Sequence, residues 1–122
     1  MKTRAIQPTG LSYAQAVEIS AVERLLFISG QTPEDASGAV SPDYRAQYRQ
    51  AWANIEARLK AADMTFDNLV KVTIFLSDRR YVQESRGLRT EVLGDRSPAL
   101  TIVIAGIFDA AWLLEIEAIA AA

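Results

Sequence analysis

In NLVKVTIFLS (residues 68–77) the side chains alternate in character. Val70, Val72, Ile74 and Leu76 fall on one face, and Lys71, Thr73, Phe75 and Ser77 on the other. That period of two is a β-strand packed on one side. Upstream, Ser41-Pro42-Asp43 reads as a helix start, with Ser41 as cap, Pro42 in the first helical position and an acid in the first turn. Tyr44, Tyr48, Ala51, Ile55, Leu59 and Ala62 then recur at helical spacing, and the helix should end near Asp63. Downstream, Asp78 is placed to cap a second helix. Tyr81, Ser85, Leu88 and Val92 share one face of it, and Gly94 closes it.

Further out, ALTIVIAG (99–106) and AWLLEIEAIA (111–120) read as the last two strands. In the N-terminal third, AVEISAVERLLFISG (16–30) reads as a hairpin turning at residues 20–23. Its second strand, Leu25 to Ser29, ends at Gly30, and QTPEDASGAVSP (31–42) follows as a turn-rich loop. The expected order is β-β-α-β-α-β-β, with room for one more short strand at the N-terminus. This is an α+β layer: a mixed sheet with two helices packed on one face, in one domain spanning 1–122. Two helices cannot cover both faces. Thr73, Phe75, Val103 and Ile119 would line a second apolar face, and association with further copies is the simplest way to bury it.

The chain has 122 residues, half of them apolar, and a formal net charge of −2. A nucleic-acid binder would carry clustered Lys and Arg on one face, and none is visible. With no cysteine and no histidine, thiol nucleophiles, thiolate metal sites and the usual general base are excluded. No metal ligand set or cofactor motif is visible. Met1-Lys2-Thr3-Arg4 leads into no apolar segment of a secretory signal, and no apolar run reaches the ~18 residues of a membrane span. A cytoplasmic protein without membrane or nucleic-acid partners is expected.

In the last strand Trp112, Leu114, Ile116 and Ala118 point one way, and Leu113, Glu115, Glu117 and Ile119 the other. Two carboxylates on one face read either as a wet surface strand or as the lining of a pocket. SYAQAV (12–17), FISGQTP (27–33), the Asn54-Ile55 helix context, LVKVTIFLSD (69–78), SPALTIV (97–103) and EIEAIA (115–120) together resemble the RidA/YjgF family of small trimeric enamine/imine deaminases. The resemblance covers nearly the whole chain. It implies a homotrimer with the sheets facing inward and small-molecule clefts between subunits. It also implies hydrolysis of reactive imines or enamines to carbonyl compounds and ammonia.

Carried over by position, Glu115 is the catalytic candidate, the glutamate that positions or activates the attacking water. Tyr13 and the Ser29-Gly30-Gln31 turn would contact substrate, and Glu117 would be structural. Where the family's deaminases carry Pro-Ala-Arg, this chain has Pro98-Ala99-Leu100. That arginine is the family's fork for a substrate carboxylate. Losing two charge-assisted hydrogen bonds at ~1.5–3 kcal/mol each would weaken a 2-iminocarboxylate on the order of a hundredfold or more. Leu100 shares its face with Ile102 and Ile104 as an apolar stripe, so either it fills space or the wall suits a less polar substrate. Arg86 is the candidate for a relocated clamp, with Arg89 and Arg96 as alternatives and a plain solvated helix residue as the rival reading. The alternative function is a non-catalytic trimer that holds a ligand or partner. The ribonuclease label the family has also carried fits poorly with a histidine-free, acidic chain.

Overall fold

The computed structural model describes all 122 residues. The strands are β1 (Lys2–Pro8), β2 (Ala14–Ser20), β3 (Leu25–Gln31), β4 (Leu69–Leu76), β5 (Ala99–Ile104) and β6 (Leu114–Ala121). The helices are α1 (Tyr44–Ala61) and α2 (Val82–Leu93). They build one mixed sheet in the order β1-β2-β5-β4-β6-β3. No helix is long and apolar enough to cross a membrane.

Strand β4 is the spine of the sheet. It runs parallel to β5 and antiparallel to β6. Its Val72, Ile74 and Leu76 are fully buried, and so are Leu114 and Ile116 of β6. The facing surface of α1 supplies Tyr48, Ala51, Trp52, Ile55 and Leu59. These positions recur every three or four residues, so one helical stripe covers the aliphatic face. Val70 departs from the alternation: the β4–β6 register shifts between Leu69 and Lys71, and Leu69 is the buried residue there.

Several expectations are corrected. The hairpin expected at residues 20–23 does not exist. The N-terminal strand β1 pairs with β2, whereas β3 lies at the far edge of the sheet against β6. Alternation at 16–30 reveals two strands but not their partners, and the partners are set by long-range burial. Helix α1 is capped by Asp43, whose carboxylate accepts from the Ala46 N–H at 2.9 Å, and not by Ser41. Ser41 Oγ instead accepts from the Asp43 N–H. Asp78 caps a 3₁₀ turn (Arg79–Tyr81) that leads into α2. Strand β5 stops at Ile104, and β6 begins only at Leu114, after a turn over residues 109–112. Gly94 does close α2, at φ 57°.

The second sheet face is bare. Phe27 is 70% exposed, and Phe75, Val103 and Ile119 are only half-buried.

Two tyrosines under the helices carry a pH consequence. Burial pushes the Tyr48 phenol up to about 12, and burial also raises Tyr44, whose hydroxyl meets Ser85 Oγ. In both cases the neutral form is favoured in the folded state. Stability is therefore intact below the unfolded tyrosine value near 10 and is lost as pH rises from there through 12. For Tyr48 the loss is about 2–3 kcal/mol. Denaturant midpoints measured from pH 9 to 12 should fall, and Tyr48→Phe should flatten part of that fall. Parallel losses in both proteins would show that Tyr48 is not the responsible group.

Candidate functional site

Most of the residues singled out from the sequence lie in two separate places. Tyr13, Arg86, Leu100 and Ile102 come together at one cavity of about 220 Å³, completed by Leu11, Val82 and Arg89. Helical spacing accounts for one wall: Val82, Arg86 and Arg89 are four and three residues apart, so they form one stripe along α2. The opposite wall is β5. Leu100 pairs in register with Val72 and Ile102 with Ile74, which places both on the helix-covered face of the sheet. Tyr13 enters just before β2, where Ala14 pairs with Ala99. Ser12, buried at φ 61°, holds this entry with an Oγ donating to the Gly94 carbonyl at 2.6 Å.

Glu115 belongs to the other face. It pairs with Phe75 on the bare side of the sheet and lines a shallow cavity of about 350 Å³ with Gly30, Phe75, Gly106 and Glu117. Its carboxylate enters no hydrogen bond or ion pair within the chain, so its oxygens are free to meet water. The reason Gly30 stands beside it is explicit. Between Ile28 and Gln31 the β3–β6 register shifts by one residue, a bulge that presses the backbone of β3 toward β6. A Cβ on Gly30 would sit 1.9 Å from Glu115 Oε1 and 2.7 Å from its Cδ. Only glycine leaves room for the carboxylate. Ser29-Gly30-Gln31 is therefore not a turn that ends the strand but a bulge inside it.

Ser29 faces an adjoining pocket with Lys71, Thr73 and Glu117. Lys71 donates to Thr101 Oγ1 at 2.8 Å, and its burial lowers its pKa although Glu117 pulls the other way. Gln31 turns away: its Nε2 returns to the Ser29 carbonyl at 3.0 Å, and it lines a groove near Arg58. The structure thus brings Gly30 to Glu115, with Ser29 alongside, but not Gln31.

The three cations differ. Arg86 is exposed at the cavity rim. Arg96 is committed to Asp67 at 2.7 Å and to the Leu93 carbonyl. Arg89 is buried within the cavity wall.

Two residues that the sequence reading did not mark for the site position it. Gln47 is buried on α1. Its Nε2 donates to the carbonyls of Ser41 and Ala111 at 2.8 and 2.9 Å, and its Oε1 accepts from the Leu113 N–H. That clamp fixes the turn from which β6, and Glu115, begins. Asn54 donates to the carbonyls of Thr32 and Glu34 at 2.9 and 2.8 Å and so ties the end of the bulged strand to α1. A signal for Gln47 was present: it lies three residues after Tyr44 and four before Ala51, a polar side chain on the core stripe.

Residues 3–122 match the profile of the family described as Endoribonuclease L-PSP. A RutC family protein of Pyrococcus horikoshii is 35% identical over 118 residues, which are 95% of this chain and 90% of that protein. The 2-iminobutanoate/2-iminopropanoate deaminase of Salmonella typhimurium is 37% identical over 67 residues, 54% of this chain and half of that enzyme. Among solved structures, a Rid-family protein of unknown function from Yersinia pestis superposes with a TM-score of 0.85 at 25% identity, covering all of both chains. On the profile match over nearly the whole chain and the relative matched end to end, this chain belongs to the RidA/YjgF family.

Proposed function

We propose that the protein hydrolyses reactive imines or enamines to carbonyl compounds and ammonia, in clefts formed between copies of a homotrimer. One observation carries the proposal. The two groups of candidate residues lie on opposite faces of one sheet, with Leu100 facing the helices and Glu115 facing the bare side. No motion within a folded chain joins them, whereas a second chain can bring its bare face to the first chain's cavity. The exposed Phe27 and the half-buried Phe75, Val103 and Ile119 give that face a reason to be covered.

In such a cleft Glu115 of one copy accepts a proton from water as the water oxygen bonds to the imine carbon and the C=N π electrons move to nitrogen. Glu115 returns that proton to the nitrogen, giving a neutral carbinolamine, which expels ammonia as its O–H proton passes to the departing nitrogen and the C=O forms. General-base assistance of this kind contributes about 10²–10⁴-fold. Tyr13, Leu100 and Ile102 of the other copy hold the substrate, and Ser29 and Gly30 border the water site. Arg86 at the rim adds positive charge. The named activity of the partly matching Salmonella enzyme supports this reaction class. The acidic composition and the lack of histidine speak against an RNA-cleaving role.

The test is loss of a 2-imino acid generated in solution, followed with wild type and Glu115→Gln at equal oligomer content. Wild type should accelerate hydrolysis, and Glu115→Gln should lose about 10²-fold of that acceleration. A wild type that binds the product yet accelerates nothing would assign the cleft to ligand capture without turnover, the reading that the missing motif arginine favours.

A further inference from the structure

Arg89 is the buried, unpaired charge of this fold. Only 2% of the residue is exposed, and no carboxylate lies within ion-pair reach of it. Its one hydrogen bond runs from Nη2 to the Leu11 carbonyl at 3.3 Å, long for an N–H donor. Nε and Nη1 are buried without any partner. The guanidinium carbon lies 5.7 Å from the centre of the Tyr13 ring, a weak contact for a cation. Leaving a desolvated charge with open donors is among the more expensive things a protein interior can hold. Arginine does not escape by shedding its proton, even though burial lowers its pKa. What relieves it is an anion.

The cavity wall says what kind of anion. Two cations, Arg89 and Arg86, line it, together with Tyr13 and the apolar Leu100 and Ile102, and no acidic side chain does. A volume of about 220 Å³ suits a short-chain molecule. Leu100 occupies the place where a deaminase of this family would present its own arginine, and Arg89 lines the same cavity from the opposite wall.

We propose that Arg89 grips the carboxylate of a small organic acid in this cavity, with Leu100 and Ile102 packing on its short apolar tail. The proposal rests on the imine-hydrolysis reading only for its choice of probe. The bond to Leu11 is long and uses only Nη2, and Nε and Nη1 have no competing partner. The clamp lost at position 100 is thereby supplied from α2, and 2-iminocarboxylates remain acceptable substrates.

The test is calorimetric titration of the full-length protein with 2-oxobutanoate and, as an uncharged twin, its methyl ester. Wild type, Arg89→Leu, Arg89→Lys and Arg86→Gln are compared, with oligomeric state followed by light scattering. Wild type should prefer the acid to the ester by at least roughly tenfold. Arg89→Leu should weaken the acid by roughly 30- to 100-fold and leave the ester unchanged, while Arg89→Lys falls between because it keeps the charge but not the fork. Arg86→Gln, at the exposed rim, should weaken the acid by less than Arg89→Leu does, because its charge is screened by solvent. If Arg89→Leu does not fold, the acid-to-ester ratio of wild type and the Lys variant decide.

Equal binding of acid and ester by wild type, or full acid affinity in Arg89→Leu, overturns the proposal. So does a loss carried by Arg86→Gln alone. Loss of the oligomer in Arg89→Leu, with no acid binding by wild type, also overturns it and gives the counter-charge to a carboxylate of a neighbouring copy. Binding is read without turnover, so the two ideas fail separately. Acid captured through Arg89 without imine hydrolysis sinks the deaminase reading alone. Full hydrolysis by Arg89→Leu sinks this one alone.

Discussion

Gly30→Ala is expected to leave the protein folded and to remove the imine hydrolysis proposed for it. The added Cβ would lie 1.9 Å from Glu115 Oε1 and 3.0 Å from its Cγ. Such an overlap must be relieved, and the softest element is the carboxylate itself, the far end of a flexible side chain with no hydrogen bond to hold it. Glu115 should swing away from the bulge, at a stability cost below about 1 kcal/mol, because no backbone atom has to move. The water that the proposed mechanism assigns to Glu115 would then be lost. Activity should fall as far as in Glu115→Gln, about 10²-fold. The stronger part of the prediction is non-additivity. Gly30→Ala placed on Glu115→Gln should remove nothing further, since both act through the same carboxylate. Steady-state rates for the four proteins of the cycle, with melting temperatures, check it. Independent losses that multiply would mean that Gly30 contacts substrate directly.

The fold was legible where a periodic pattern met a single packing surface. From Lys71 to Leu76 strand β4 alternates because one face meets the helices and the other does not. The six positions marked from Tyr44 to Ala62 fall on or beside the buried stripe. Pairing was less legible. Residues 16–30 carry two genuine strands, yet β2 and β3 end on opposite sides of the sheet, because β6 offers β3 a long antiparallel partner that the adjacent strand does not. The bulge at Ser29-Gly30 left no local trace beyond a glycine. Its meaning lies in Glu115, 85 positions later, and contacts of that range do not register in a local pattern. Cap chemistry failed by two residues at Ser41 for a related reason: Ser41 and Asp43 both qualify, and the choice is made by where the helix must sit to bury Tyr48 and Trp52.

The site residues themselves were read from motif positions. Local periodicity correctly put Glu115 and Glu117 on one face, and with β4 alternating the same way it could have put Leu100 and Glu115 on opposite faces. It could not show that Arg89, on a helix otherwise read by its Ser85–Leu88 stripe, is buried as deeply as those two. Gln47 was missed because a polar residue on a core stripe looks like an interruption until its three backbone partners are known.

Mixing two inactive variants tests most directly whether the working site spans two chains. Glu115→Gln disables the water side of a cleft. Leu100→Trp projects an indole into the roughly 220 Å³ cavity and obstructs the substrate side. Denatured together in equal amounts and refolded, they should form mixed rings. In a head-to-tail ring each cleft needs an intact Glu115 from one chain and an open cavity from its neighbour, so about a quarter of the clefts should be intact and about a quarter of wild-type hydrolysis should return. Each variant refolded alone should stay near background. Recovery to that level would establish that the two faces of the sheet work across a subunit boundary. A mixed sample that refolds to the wild-type oligomer yet hydrolyses no faster than its parents would contradict it.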